Sequence, residues 1–313
     1  MLQRYSLSNV SARRTPDSMD LLSPPEPPSL PDPRETVDKA LRRPLGQPAL
    51  ERFLEPGDRV AVVAPRAGGS EDLRFAVDAV VEAAARARVA AVGVYGTLDE
   101  GSPMRAILPG LCALRPVAEA DKVVVVARLA LDPEAMVVGG ARALREAVTA
   151  AGSRPPHEPH LPLFVAALPP IFAVEVAFQR GGRPSAVFAG DLPIAHRAAR
   201  AHVLRWRAVE VDEGYDGIAV ELGHPDEAER ALRLAARGLV VGGVLVGVGP
   251  PVAAPAGLGV DLRFADDLEA ARRLLEEIRP GGRLAYLPDP LRALLLRRGD
   301  RFPAEEIRVA SAP

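Results

Sequence analysis

Cysteine is almost missing from this chain of 313 residues, and Cys112 alone excludes an intrachain disulfide and any multi-cysteine zinc site, which suits a reducing compartment. Lysine is nearly as scarce. Lys39 and Lys122 are the only two, so almost all positive charge is arginine. An excess of one sign is absent too: 39 Lys and Arg against 41 Asp and Glu leave a net charge of −2, with no electrostatic reason to expect a nucleic acid or an anionic membrane as partner. Residues 1–34 have no continuous apolar core of signal-peptide type, so secretion is not indicated and the expected location is cytoplasmic. The uncharged run from Gly238 to Gly259 has the length of a membrane span, but its glycines and Pro250-Pro251 break it after Val248. It reads as a buried strand followed by a loop.

The length suffices for two domains, each with its own core. Residues 1–34 are rich in Pro, Ser and charge around Ser23-Pro24-Pro25-Glu26-Pro27-Pro28, which predicts a disordered Pro-rich arm. The first α/β domain is expected over 35–160. Its turn at Pro56-Gly57-Asp58 releases Val60–Ala64, an apolar run typical of a strand buried on both faces. A helix capped by Ser70 through about Arg86, and strands at Val89–Tyr95 and Lys122–Ala127, imply a largely parallel sheet whose functional edge lies at its strands' carboxyl ends. The second α/β domain is expected over 161–290. It takes in strands at Ile171–Phe178 and Ser185–Phe188, across the Arg180-Gly181-Gly182 turn, and at Ile218–Glu221, Val244–Val248 and Arg283–Leu287. Its helices are Asp226–Arg237, closed by Gly238, and Ala265–Ile278, with Ala270, Leu274 and Ile278 at four-residue spacing. Residues 291–313 are left as a C-terminal helix or tail. The expected fold is two α/β domains with largely parallel sheets and a cleft between them.

The chain pivots on Ser185–Trp206, where a short apolar run ends at Gly190-Asp191 and a helical period begins. Asp191 is placed to cap the first turn, and Pro193 falls where a missing N–H costs little. Phe188-Ala189-Gly190-Asp191 followed by Ala195-His196 resembles the domain junction of the lactate racemase family, the nickel-pincer-nucleotide enzymes. Other stretches resemble that family in the same order: Glu35-Thr36-Val37, Pro44-Leu45-Gly46, Leu50-Glu51, Val117–Asp121 before an apolar strand, and Gly139-Gly140 after it. The resemblance runs from about Arg34 to Pro288.

It implies a nickel-pincer nucleotide tethered to a lysine, with two histidines exchanging protons at the substrate carbon. The chain departs from each of these motifs. The family's Asp-x-Thr-Arg becomes Arg66-Ala67-Gly68-Gly69, its Gly-x-His-Arg becomes Gly96-Thr97-Leu98-Asp99, and the stretch with the second histidine becomes Leu131-Asp132-Pro133-Glu134. Its Gly-Gly-x-Lys anchor becomes Gly139-Gly140-Ala141-Arg142, and an arginine, protonated at neutral pH, is not acylated as a lysine is. His157 and His160 stand at about the family's distance for its nickel histidine, as metal candidates or as solvated residues of a Pro-rich loop.

Weaker motifs have plain structural readings. The Gly68-Gly69-Ser70 loop is followed by Glu71 and Asp72, which would repel an anion from that helix start, and Gly247-Val248-Gly249 lacks the third glycine of a dinucleotide fingerprint. His224-Pro225-Asp226 reads as a loop and cap. His196 and His202, six apart on one helix, face different ways and do not form a two-histidine metal site. The expectation is a divergent lactate racemase-like protein, non-catalytic or repurposed to bind a small anionic ligand or a partner in the interdomain cleft. No cofactor is expected. Its ligand-binding candidates are Arg66, Arg142 and Arg237, each of which has an alternative as one half of a surface ion pair. The rival is a nickel-pincer-dependent racemase or epimerase of a 2-hydroxy acid, an isomerase.

Overall fold

Three segments of this chain, Val60–Val63, Val123–Ala127 and Ile171–Phe178, are buried along their whole length, and their β-branched and small residues suit strands covered on both faces. They form the centre of a five-stranded sheet in the order Pro184–Gly190, Ile171–Phe178, Lys122–Arg128, Arg59–Val63, Ala91–Tyr95. All neighbours are parallel except Ile171–Phe178 with Pro184–Gly190, an antiparallel hairpin. The computed structural model describes residues 13–14, 19–64, 70–96, 103–108, 111–132, 136–148, 165–211, 213–223 and 225–297.

One face of this sheet, with Val62, Val124, Phe172 and Val174, joins the core formed with the helices Pro33–Arg42 and Ser70–Arg86. On the other face, Val63, Val125 and Ala173 meet Leu144 of the helix Gly140–Val148 and Leu192 and Ala195 of the helix Leu192–Arg207. Alternation along a strand places Glu175 on this second face, two residues beyond Ala173. The chain divides into two compact units, and this sheet belongs to the one holding the described residues of Pro27–Leu129 and Val138–Ala201.

The hairpin Ile171–Gly190 corrects the sequence reading, which placed it in a second domain over 161–290. Ile171 to Val176 pairs in register with Val123 to Arg128, so the hairpin completes the first sheet, and the chain changes unit inside the helix Leu192–Arg207. A strand's own pattern reports that it is a strand, whereas its sheet is decided by partners distant in sequence.

The other unit holds the described residues of Met1–Glu26, Ala130–Val137 and His202–Arg308. Its six-stranded sheet runs Arg13–Arg14, Met19–Leu21, Leu284–Leu287, Tyr215–Glu221, Leu239–Val248, Asp261–Ala265, parallel from Met19–Leu21 onward. The helices Pro225–Ala236 and Leu268–Ile278 supply Leu232 and Ala235, and Ala271 and Leu275, to its cores. In the latter helix the buried pair is thus Ala271 and Leu275, and the predicted Leu274 and Ile278 pack beside it half-buried. Leu294–Arg297 pairs in parallel with Ala208–Val211, so this part of the predicted helix or tail is a strand.

Part of the predicted disordered arm is ordered by non-local bonds. Leu22 is 1% exposed and donates its N–H to Tyr286 O, the Gln179 amide donates to Pro27 O, and Leu30 N–H donates to Pro184 O. A strand of three residues shows no periodicity, and prolines still offer carbonyls as acceptors.

The corner after Phe188 forms as its residues predict. Asp191 Oδ1 accepts the Ile194 N–H at 3.2 Å, and Pro193 lies in the first turn. Gly190 has φ 138, and a Cβ there would meet the Leu45 carbonyl oxygen at 2.1 Å. Leu45 N–H donates to Ala189 O and Asp191 N–H to Leu45 O, so the Pro44-Leu45-Gly46 step is stitched to the Gly190-Asp191 corner and both motifs serve one joint. Among the described residues no helix is long and apolar enough to cross a membrane.

Candidate functional site: a buried carboxylate, a helix start and a histidine

Glu175 lies in the run Ile-Phe-Ala-Val-Glu-Val-Ala-Phe and is 0% exposed. A carboxylate without partners at such a position would cost several kcal/mol, about 3 or more, so its partners define the site. The Gly140 N–H donates to its Oε1 at 2.5 Å. That amide opens the helix Gly140–Val148, whose first-turn N–H groups carry partial positive charge. His196 Nδ1 lies 3.1 Å from both Oε1 and Oε2, and the His196 side chain is 28% exposed against 0% for Glu175.

Chemistry assigns the proton. A carboxylate that accepts at Nδ1 selects the Nδ1–H form of a neutral imidazole, and Nε2 then carries the basic lone pair. The same contact would stabilise an imidazolium. A buried carboxylate, a ring held by it and part of that ring open to solvent is an arrangement able to accept a proton and return it.

The glycine pair is explained by the same carboxylate. A Cβ on Gly139 would lie 2.4 Å from Glu175 Oε1 and 2.9 Å from Leu129 Cδ2, and one on Gly140 would lie 2.8 Å from Leu192 Cδ1. Gly139-Gly140 therefore makes the space into which Glu175 folds. Arg142 stands in the first turn of this helix, half-buried, where the dipole disfavours a cation unless anionic groups are near.

The other candidates are dispersed. Arg66, His157, His160 and His224 lie outside the described residues. Arg237, half-buried, follows the helix Pro225–Ala236 in the other unit from Arg142. Among the described residues no group of three or more His, Cys, Asp or Glu could hold a metal ion. His202 is half-buried: desolvation, with Arg205 and Arg207 nearby, pushes its pKa down to about 4. At the carboxyl end of its strand, Arg128 pairs with Asp72 Oδ2 at 3.1 Å and stacks 4.7 Å from the Phe178 ring centroid. Asp72, predicted to repel anions from the Ser70 helix start, is thus engaged by a cation.

Sequence reasoning missed Glu175, and took His196 as part of a family-like corner and not as half of a metal site with His202. The available signal was the single acid in an otherwise apolar strand, because a charge there demands a compensating partner.

Parallel sheets flanked by helices, with a polar site at helix starts on one face, define a mixed α/β protein. Solved structures make the likeness more particular. The lactate racemase apoprotein of Thermoanaerobacterium thermosaccharolyticum matches with a TM-score of 0.66 and 12% identity over 88% of this chain and 95% of that one. A protein from Thermotoga maritima matches with a TM-score of 0.54 and 9% identity over 86% of this chain and 99% of that one. At such identities the likeness is one of fold, and the chain has a lactate racemase-like α/β fold. No protein-family model and no curated protein sequence matches it.

Proposed function

We propose that this chain is a divergent lactate racemase-like protein repurposed to bind a small anionic molecule, without a covalently held pincer cofactor. The observation that carries this reading is Arg142 in the first turn of the helix that opens at Gly140, at the place where the resemblance has its anchoring lysine. A guanidinium retains the charge that attracts a carboxylate or phosphate, and it stays protonated where an amine would have to be acylated. The residues at this helix start therefore do not fit covalent pincer attachment. The Glu175–His196 pair is independent of that attachment.

The test is intact-mass measurement after co-production with the cofactor-making proteins, paired with calorimetry against lactate, pyruvate and inorganic phosphate. The expected result is no adduct and measurable binding of at least one of these anions, weakened about 10-fold by Arg142→Ala, as for loss of one charge-assisted hydrogen bond. Arg66→Ala and Arg237→Ala are compared in the same assay. An adduct on the Gly140 helix, with lactate racemisation lost on changing His157, would replace this reading by the nickel-pincer racemase.

A further inference from the structure

A sheet edge leaves a row of backbone N–H and C=O groups without strand partners, and proteins guard such edges with charge, proline, bulges or covering chain. The two large sheets guard all their edges but one. The strand Arg13–Arg14 consists of two arginines, and Asp261–Ala265 presents Asp261 and Arg263 as an ion pair at 3.0 Å. Pro184–Gly190 begins with a proline, shifts its register beside Phe178, and is met by the Leu30 and Leu45 backbone. The remaining edge, Ala91–Tyr95, has none of these. It reads Ala-Val-Gly-Val-Tyr, it pairs residue for residue with Arg59–Val63 without a bulge, and among the described residues its other side pairs with no strand. Val94 on this edge is 50% exposed.

We infer that Ala91–Tyr95 is the docking edge for a second copy of this chain, the two strands pairing antiparallel about Gly93 and joining two five-stranded sheets into one. The strand is complementary to itself. With Gly93 opposite Gly93, Val94 of each copy falls opposite Val92 of the other and Tyr95 opposite Ala91, so β-branched residues meet on one face and large meets small on the other. Val92 packs on the core shared with the helix Ser70–Arg86, and Val94, on the same face, gains a cross-strand neighbour only from the second copy. On the opposite face Tyr95 covers Gly93, where a Cβ would meet its Cζ at 2.6 Å and its Cε2 at 2.7 Å. That cover compensates a strand glycine for its missing side chain. Charge favours a second copy and sets its direction. The strand itself carries no charge, and in sequence the exposed Arg88 precedes it while Asp99 and Glu100 follow, so antiparallel pairing sets the basic approach of one copy against the acidic continuation of the other. Parallel pairing would set like against like. An antiparallel pair about Gly93 is two-fold symmetric and closes at two copies. The inference is independent of the anion-binding reading.

Sedimentation velocity of the full chain across the micromolar range, with hydrogen–deuterium exchange at the same concentrations, tests this edge. The expected result is a concentration-dependent dimer in which amides of residues 91–95 gain protection that dilution removes. Val94→Lys should weaken dimerisation about 100-fold, since the symmetry places each substituted residue in the interface twice, at about 10-fold apiece. Ala91→Lys, at an exposed position, should act in the same direction, and it keeps the test open if Val94→Lys alters the circular dichroism. A chain that stays monomeric throughout overturns the inference, and protected 91–95 amides in that monomer would assign the edge to another segment of the same chain. A dimer whose affinity neither lysine changes, or whose 91–95 amides exchange alike at every concentration, overturns it as well.

Discussion

The two units place their polar clusters at different points of similar sheets. In the five-stranded unit the cluster is buried in the sheet face: Glu175 neighbours Ala127 of the parallel strand and is met by a helix-start amide and a histidine from two helices. In the six-stranded unit the comparable cluster lies at the amino ends of the strands. Tyr215 O–H donates to Asp20 Oδ2 at 3.0 Å, Arg283 Nε lies 3.6 Å from the same oxygen, and the guanidinium stacks 4.6 Å from the Tyr215 ring centroid. Here the polar groups tie the strand Met19–Leu21 to the starts of the strands Leu284–Leu287 and Tyr215–Glu221. A charge at a strand's start is readily explained as a staple, whereas a charge inside the sheet has to be compensated by partners brought from other elements.

The comparison breaks first at Gly139. Gly139→Ala drives a methyl group against Glu175 Oε1, and either the carboxylate loses its partners or the helix start moves. The expected loss is about 3 kcal/mol in urea unfolding. A change below about 0.5 kcal/mol would show that the carboxylate does not need this space.

A second test sets His202 against His196, two histidines of one helix with opposite expected roles. The folded-state pKa of His202 is about 4, below the ordinary 6.5. The unfolded chain therefore binds the extra proton first as pH falls, and stability is lost between about 6.5 and 4. Urea unfolding across that range should show the loss, and His202→Gln should reduce it. An unchanged acid slope in the variant would assign the sensitivity elsewhere.

The smallest effect is expected at the amino-edge staple. Tyr215→Phe removes one hydrogen bond to Asp20 and should cost about 1 kcal/mol with no change in anion binding. Burial and the Asp20 bond also push the Tyr215 pKa up to about 12 from 10.0, so the folded state holds this proton longer and stability falls between those values as pH rises. Ultraviolet titration of the phenol checks it. A tyrosine ionising near 10 in the folded protein would remove the buried staple.

Individual elements were legible because their causes are local. The valine runs at Val60 and Val123 announced buried strands, and Asp191 with Pro193 announced a helix start. Sheet membership was not legible. Ile171–Phe178 would have been equally good as a strand of either sheet, and only its register with Val123–Arg128 decides. The strand Leu239–Val248 shows the same limit: its pairing shifts between Leu239 and Val244, so Val241, within a hydrophobic run, is 100% exposed. Of the candidate site, Gly139-Gly140 and His196 stood out by resemblance. Their common cause did not, because Glu175 is 35 residues from Gly140 and 21 from His196, and no local pattern joins them.

The central claim is that the Glu175 carboxylate fixes the protonation geometry of His196, and nitrogen-15 NMR of the imidazole reads it directly. The wild-type ring in its neutral form should be the Nδ1–H tautomer, and in Glu175→Gln, whose amide can donate to Nδ1, the population should move toward Nε2–H. A neutral His196 that is already Nε2–H in the wild type, or a tautomer that ignores the Glu175 substitution, would contradict the account.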